Sequence, residues 1–468
     1  MRLGWDALLC GRAAEADGME VEITGWIAAQ LDDRPGYALL TAEPPCCIGC
    51  APRDPAGAVE VFARTKLRPE ARALRLRGRL RIAAEGWRYQ LLDAQLLDAP
   101  GWAGGPRTLS RRHVLAGGPL LCLAAPAQAQ AQDADAQARA VIGSAATVDI
   151  HSHAGAVHGV RRVESHAPFQ PLAAPMRAGG MAVICLAVVS DSPTHKTYPD
   201  KRIHPYRDPN PGELYAYSTK SFQRAHDLAA AQNLPIVTTS AGLRAARGTA
   251  PSVIIASEGA DFTEGMPDRV DEAYTRWQLR HLQLTHYRVN ELGDIQTEAP
   301  VHDGLTDAGA DVIRRCNKLG VMVDVAHGTF DLVKRAASVT SKPLVLSHTS
   351  LTTSSTAQAA ASRTRLISAE HARLIAGTGG VIGIWPPASR FPSLDALAGG
   401  MRQMVDVVGV DHVGLGSDMM GLTGPSIFDS YEALPGLAAA LLGVGFSPAE
   451  VSKILGGNYL RVFTATLG

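Results

Sequence analysis

The chain has little of what marks a nucleic-acid-binding or membrane-embedded protein. Aromatic residues make up only 5% of its 468 residues, and 45 basic side chains balance 45 acidic ones. A net charge near zero argues against nucleic acid or an anionic surface as the main partner. The apolar run from Val114 to Ala125 is about a dozen residues, shorter than the ~20 of a spanning helix. No stable membrane span is therefore expected.

Cysteine is scarce in the longer, C-terminal part of the chain. Five of the seven cysteines lie in the first 130 residues: Cys10, Cys46, Cys47, Cys50 and Cys122. The other two, Cys185 and Cys316, lie in apolar or helical context and are predicted to be buried thiols. Cys47 and Cys50 form a C-x-x-C within CCIGC, but a structural zinc site needs a second pair of ligands. A metal or redox role and a simple pair of loop thiols both stay open.

Residues 106–132 combine the parts of an export signal in the expected order. Arg111 and Arg112 precede the apolar run, and small residues such as Ala125-Pro126-Ala127 offer cleavage positions. This order is typical of a twin-arginine signal followed by a linker. It predicts a periplasmic or cell-envelope location for the C-terminal domain, or a cytoplasmic one if the internal signal is not used. An alanine-rich linker with a chance arginine pair is the alternative.

Residues 1–105 alternate apolar and polar positions in short segments separated by turn residues, as small antiparallel strands do. The segments are VEITGWIAA, YALLTA, VEVFARTKL, LRLRGRLRIA and WRYQLLDAQLL. They predict a small mainly-β domain, possibly OB-like, of unknown role. Two origins stay open: a true fusion with a cytoplasmic domain, or an upstream gene joined in error to that of an exported protein.

From residue 145 to 468 the pattern changes to apolar strands that alternate with helical stretches, which predicts parallel β/α units. The predicted strands are TVDIHSH, MAVICLAVVS, LPIVTT, SVIIASEG, LRHLQLTH, VMVDVAH, KPLVLSH, GGVIGIW and HVGLGSD. About eight such units over roughly 320 residues fit a (β/α)8 TIM barrel. A doubly wound open sheet is the second choice, but no glycine-rich nucleotide fingerprint opens the first unit.

Five metal-ligating side chains each end one of these apolar runs: His151, His153, Glu258, His327 and His348. The carboxyl ends of barrel strands face one common site, so these residues are expected to meet there. A single histidine at a strand end is more often a hydrogen-bonded structural residue. Five in register predict a binuclear metal site, which in turn favours a hydrolase.

Many spaced motifs of the C-terminal part resemble those of the membrane (renal) dipeptidase family. They are HSH, SEGAD, LTHYRVNELGD, GLTDAGADVIRRCNKLGVMVDVAH, LSHTS, GGVIGI, HVGLGSDMMG and GGNYLRVF, in that order, from about residue 146 to the end. The resemblance implies a TIM-barrel zinc metallodipeptidase related to the amidohydrolases, with two zinc ions per chain. The first 130 residues lie outside it.

The resemblance also implies how the ligands divide. His151 and His153 would bind one zinc ion, His327 and His348 the other, and Glu258 would bridge both. A hydroxide shared by ions ~3.5–4 Å apart would then attack the scissile peptide carbonyl. The family usually has aspartate at the position of His153, so this site lacks one negative charge. The amidohydrolase relatives use His-x-His, so metal binding is expected to survive the change.

By the same resemblance, Asp418 orients the bridging water and moves its proton to the leaving amine, and His286 contacts the substrate and the developing oxyanion. Arg365 would hold the intermediate or the substrate carboxylate, with Arg363 as a competing choice. Asp324 either orients a ligand imidazole from behind or caps the following helix.

The long polar stretch from Ser190 to Gly212 is expected to form a lid over the site, or else to be a disordered insertion. The expected partner is a dipeptide or a small amide, and a homodimer is left open. Two other functions stay open: a related binuclear amidohydrolase that acts on a non-peptide amide, and a barrel that binds metal without catalysis.

Overall fold

The computed structural model describes residues 3–5, 8, 13, 16–29, 37–41, 58–63, 73–82, 89–97, 135–157, 169–199 and 202–468. They form two compact units, and each has its own hydrophobic core. The CCIGC motif, Cys10, Cys122 and the predicted export signal lie outside the described residues. Among the described residues no helix is both long and apolar enough to cross a bilayer.

The first unit is a closed five-stranded barrel. Its strands are β1 (Glu20–Ala29), β2 (Tyr37–Thr41), β3 (Ala58–Ala63), β4 (Leu74–Ile82) and β5 (Tyr89–Leu97). They pair in the order β1-β2-β3-β5-β4, with β3 and β5 parallel and β4 closing onto β1. On β4 the buried residues alternate with the outward-facing arginines Arg77 and Arg79. This Greek-key order is that of an OB-type barrel, so the prediction of a mainly-β first domain is confirmed.

The second unit is built on a closed barrel of eight parallel strands: β6 (Val148–Ser152), β7 (Val183–Val189), β10 (Ser252–Glu258), β11 (His281–Gln283), β12 (Met322–Asp324), β13 (Leu344–Thr349), β14 (Val381–Ile384) and β15 (Val413–Leu415). Two further strands, β8 (His195–Thr197) and β9 (Ile203–Pro205), form a separate antiparallel hairpin. The predicted TIM barrel is confirmed, and the open doubly wound sheet is excluded because β10 pairs with β7 and closes the ring.

Residues 135–144 of this unit are helical. The helices that follow are α1 (Ala173–Gly179), α2 (Glu213–Ala231), α3 (Ser240–Ala245), α4 (Asp268–Arg276), α5 (Asp307–Leu319), α6 (Phe330–Val339), α7 (Thr356–Ala361), α8 (Ala369–Gly377), α9 (Leu394–Val408), α10 (Leu434–Gly443), α11 (Pro448–Ser452) and α12 (Asn458–Leu467). Several of these helices have a side-chain cap at their N-terminus. The hydroxyl of Thr306, for example, accepts a hydrogen bond from the amide of Gly309 at the start of α5.

Two layers of apolar side chains hold the strand ends in place. One layer lies between the strands and the surrounding helices. The other fills the inside of the barrel and includes Tyr459, Val462 and Phe463 of α12. Asn458 donates to the carbonyl oxygen of Val413 at the start of β15, so α12 covers the amino ends of the strands. The carboxyl ends are left for the site.

Two smaller predictions differ in their outcome. Cys185 and Cys316 are buried free thiols, as predicted. The segment LPIVTT is not a barrel strand: only Ile236 forms an isolated bridge, to Val253. Ile236 contacts the start of β10, before the residues of β10 that pair with β11, because the β10–β11 register begins at Ala256.

Candidate metal centre

The five predicted metal-type side chains meet at the carboxyl ends of their strands, and all are buried. Glu258 lies at the centre. Its Oε1 is 3.4 Å from His151 Nε2, 3.3 Å from His327 Nε2 and 3.5 Å from His348 Nε2. Its Oε2 is 3.1 Å from His153 Nε2. One carboxylate therefore faces four imidazoles that come from three other strand ends.

The imidazoles form two pairs. The Nε2 atoms of His151 and His153 are 3.2 Å apart, and those of His327 and His348 are 3.0 Å apart. Two nitrogen ligands at ~2.1 Å from one tetrahedral zinc ion are about 3.4 Å apart, so each pair has the spacing that a shared ion requires. Histidine nitrogens and carboxylate oxygens are donors that suit a divalent ion, and two of the possible ligand groups share Glu258: one with His151 and His348, the other with His286 and His327.

The centre combines an ionised carboxylate with two neutral imidazoles. Burial alone would raise the pKa of Glu258, but the surrounding imidazoles, His286 and His151 foremost, hold it well below its usual range. Burial, together with the charge of Arg365, holds the pKa values of His327 and His348 well below that of free histidine. Neutral imidazole is the form that binds metal.

His153 has a different environment. Burial disfavours its charged form, yet Glu258 and Asp418 raise the pKa of His153 to about 10. Its Nδ1 lies 2.9 Å from the carbonyl oxygen of Ala187, which fixes the ring with Nε2 toward the two carboxylates. The proton on His153 is thus held by the same two carboxylates that would face a bound cation, and a divalent ion bound there would displace it.

Asp418 lies against the His151–His153 pair. Its Oδ1 is 3.4 Å from His153 Nε2 and 3.9 Å from His151 Nε2. Its backbone has a left-handed φ of 48°, and that of His327 has a φ of 67°. Non-glycine residues rarely adopt this conformation, which clusters at functional sites. Gly421 allows the approach, because a Cβ there would lie 2.0 Å from Asp418 Oδ1.

His286 is held between two carboxylates. Its Nδ1 is 2.7 Å from Asp191 Oδ1, and its Nε2 is 3.2 Å from Glu258 Oε2. Burial opposes protonation of His286, but Asp191 and Glu258 outweigh it and raise the pKa. Asp191 also accepts the amide of Tyr287 at 2.9 Å and lies 3.2 Å from His195 Nδ1. The Nε2–H of a protonated His286 can donate toward the centre.

Arg365 reaches the centre from the segment between α7 and α8. Its Nη2 is 3.1 Å from His348 Nε2, and its Nη1 donates to Gln296 at 2.6 Å. Arg363, the competing choice, is exposed and does not line the cavity. Burial raises the pKa of the neighbouring Tyr287 to about 12, so its phenol remains a hydrogen-bond donor.

Asp324 does not contact an imidazole of the predicted metal set. Its Oδ2 lies 3.2 Å from His281 Nε2, and its Oδ1 accepts the amides of Ala326 and Ser347. Burial would raise its pKa, but the hydrogen bonds, His281 first, lower it. Asp324 therefore holds two backbone amides and the ring of His281, and not an imidazole of the predicted metal set.

A cavity of about 510 Å³ opens over the centre, a size suited to a small molecule. The stretch 190–212, expected as a lid, contributes part of its wall through His195, Lys196, Thr197 and Ile203. His195 of this wall packs on His286 with ring centroids 5.2 Å apart. His204 Nδ1 is 2.6 Å from Glu298.

Sequence reasoning missed several residues around the cavity. Asp191 follows the end of β7 just as the predicted ligands follow their strands, so the same rule could have found it. Tyr287 comes directly after His286. Gln296 and Trp385 carry no signal of this kind, because only the fold brings their loops to the centre.

The family model for membrane dipeptidases, peptidase family M19, matches residues 136–467. The chain belongs to this family. The family resemblance that the spaced motifs predicted is thereby confirmed. The protein is therefore a member of a hydrolase family, as predicted. The match begins beyond the described first barrel, whose strands end at Leu97.

Relatives of known name match part of the chain. Dipeptidase aclJ of Aspergillus oryzae is 29% identical over 198 residues, which cover 40% of this chain and 46% of the relative. Dipeptidase tcpJ of Claviceps purpurea is 32% identical over 212 residues, covering 42% of this chain and 47% of the relative. The chain thus spans about half the length of the curated relatives it matches.

A solved metallo peptidase from Rhodobacter sphaeroides, liganded with a phosphinate mimic of the dipeptide L-Ala-D-Ala, has the same fold. Its TM-score is 0.56 at 19% identity, covering 68% of this chain and 99% of that one. This likeness supports the barrel assignment.

Proposed function

We propose that the protein is a zinc-dependent dipeptidase with two zinc ions per chain. The observation that carries this proposal is one buried carboxylate, Glu258, that lies within 3.5 Å of five imidazole nitrogens. His151 and His153 would hold one ion, His327 and His348 the other, and Glu258 both. Bound zinc would polarise the scissile carbonyl and lower the pKa of water to near neutrality.

The side chains around the centre would handle the protons and charges of the reaction. Asp418, beside the His151–His153 pair, would take the proton of the attacking water and deliver it to the leaving amine. His286, whose Nδ1 is held by Asp191, would donate from Nε2 to the carbonyl oxygen as negative charge develops there. Arg365 lines the same cavity and would bind the substrate carboxylate.

Membership of the M19 family supports a dipeptide as the substrate class, and the Rhodobacter sphaeroides relative binds a dipeptide mimic. The test is turnover of a dipeptide panel that includes L-L, L-D and D-D isomers, with an N-acyl amino amide that is not a dipeptide for comparison. Hydrolysis of at least one dipeptide stereoisomer is expected. Hydrolysis of the non-peptide amide alone would contradict the proposal.

We also propose that the catalytic domain is exported to the periplasm or cell envelope by the twin-arginine route. The order of Arg111, Arg112, the apolar run and the small residues after it supports this. Mass spectrometry of the N-terminus of the native protein is the test. A mature chain that starts close after residues 125–132 is expected, whereas a cytoplasmic chain that retains residues 1–132 would contradict export.

A further inference from the structure

Two aspartates occupy equivalent positions at two places in the barrel. Asp149 on β6 is the register partner of Leu415 on β15, and Asp324 on β12 is the register partner of Val345 on β13. Both carboxylates are fully buried. Each lies two or three residues before a histidine of the centre, namely His151 or His327.

The Oδ1 atoms of the two carboxylates accept equivalent hydrogen bonds. Asp149 Oδ1 accepts the amide of His151 at 3.3 Å and that of Ser417 at 2.9 Å. Asp324 Oδ1 accepts the amide of Ala326 at 2.9 Å and that of Ser347 at 3.0 Å. In each case one amide lies two residues further along the chain from the aspartate. The other lies two residues beyond the register partner on the neighbouring strand.

The amides that donate to these carboxylates belong either to a residue of the centre or to the residue directly before one. His151 itself donates to Asp149, and Asp418 directly follows Ser417. In the other copy, His327 directly follows Ala326, and His348 directly follows Ser347. Each carboxylate therefore ties together two strand ends that carry one half of the proposed centre.

From this repeated geometry we propose that Asp149 and Asp324 are two equivalent positioning residues. Asp149 would set the spacing of His151 and Asp418, and Asp324 that of His327 and His348. The proposal rests on the metal centre proposed above. It adds that each half of that centre has its own carboxylate clamp, with no clamp residue touching an ion or the substrate.

The second oxygen of each carboxylate fixes the clamp itself. Asp149 Oδ2 accepts the hydroxyls of Ser417 and Tyr431, and Asp324 Oδ2 lies against His281. Asparagine keeps one oxygen that can accept both amides, while alanine leaves two buried N–H groups without an acceptor. The two substitutions at one position therefore separate positioning from charge.

The experiment measures zinc affinity by competition with a chromophoric chelator, using the full chain and four variants: Asp149→Ala, Asp149→Asn, Asp324→Ala and Asp324→Asn. We expect two ions in the wild type. Each alanine variant should bind one of the two ions about 10–100-fold more weakly, and each asparagine variant should be close to wild type. If an alanine variant does not fold, Asp149→Ser and Asp324→Ser, whose hydroxyls are too short to reach both amides, take its place.

Asn458→Ala is the matched control, because Asn458 also holds β15 through a backbone group, but at the amino end of the strand. Its thermal stability should fall while both zinc affinities stay as in the wild type. The proposal is overturned if the alanine variants keep both affinities, if the control loses affinity equally, or if alanine, serine and asparagine variants all fail to fold. A wild type that binds no zinc would instead refute the metal centre itself.

Discussion

Single side chains of the centre have roles that follow from their distances to Glu258. The strand-end rule brought together His151, His153, Glu258, His327 and His348 because parallel strands of a closed barrel must converge at one rim. What the sequence could not supply is the environment of each ring. His153 lies between Glu258 and Asp418, while His348 lies against Arg365, and only the loops decide this.

The role of Asp418 leads to a first prediction. Asp418→Asn keeps the size of the side chain but removes its ability to accept and pass on a proton. We expect kcat to fall by about 10²–10⁴-fold, as for loss of a general acid–base group, with zinc content unchanged. Steady-state kinetics and elemental analysis of the same sample are the measurements. Unchanged kcat would refute the assigned role.

Gly421 gives a second prediction at this scale. A Cβ at Gly421 would lie 2.0 Å from Asp418 Oδ1 and 2.5 Å from His153 Cδ2, so Gly421→Ala must displace one of them. We expect about a 10²-fold loss of kcat/KM from this misplacement. Gly399→Ala in α9 is the control, since a Cβ at Gly399 would meet no atom within 4 Å and alanine favours helix. Equal activity of both variants would contradict the prediction.

At the level of elements, the alternation of apolar runs and helical stretches was sufficient to predict the barrel. Seven of the eight barrel strands fall within the predicted segments, and β13 extends one residue beyond its segment, to Thr349. LPIVTT was predicted wrongly because a short apolar run has the same pattern whether or not it joins a sheet. Pro235 within it lacks an amide hydrogen, which disfavours a central strand.

The hairpin of β8 and β9 carries a prediction of its own. Thr197 and Ile203 line the cavity from this hairpin, so replacing residues 197–203 by Gly-Gly should remove one wall of the substrate site. We expect KM to rise about tenfold, which corresponds to a loss of roughly 1.4 kcal/mol of binding free energy, and zinc affinity to stay unchanged. Dipeptide kinetics and chelator competition measure the two quantities. An unchanged KM would show that the hairpin does not contact the substrate.

For the whole molecule, the change of pattern near residue 145 reflects two ways of burying apolar surface. The first barrel alternates inward and outward residues because one face of its sheet meets solvent. The strands of the second barrel are buried on both faces, and β7, for example, is apolar along its whole length. These patterns predict the fold of the first barrel but not its role or that of CCIGC, because function depends on particular side chains rather than on periodicity.

Stability of the whole molecule should depend on pH through His371. This histidine is buried on α8, and burial lowers its pKa from 6.5 to about 4. The unfolded chain therefore binds a proton that the folded chain does not, so stability is lost as the pH falls from 6.5 toward 4.

His371→Gln should remove this contribution. Between pH 7.5 and pH 4.5 the free energy of unfolding of metal-free wild type should fall by roughly 2–3 kcal/mol more than that of the variant. Urea denaturation at the two pH values measures the difference. An equal fall in both proteins would mean that His371 is not held neutral by burial.

The central claim is a hydrolytic centre of two zinc ions around Glu258, and a zinc titration tests it most directly. Metal-free protein is titrated with Zn²⁺ while hydrolysis of a dipeptide substrate is followed. We predict no turnover without zinc and a rise that reaches its plateau at two equivalents per chain. Dipeptide turnover that is independent of zinc, or the absence of any turnover at saturation, would contradict the claim.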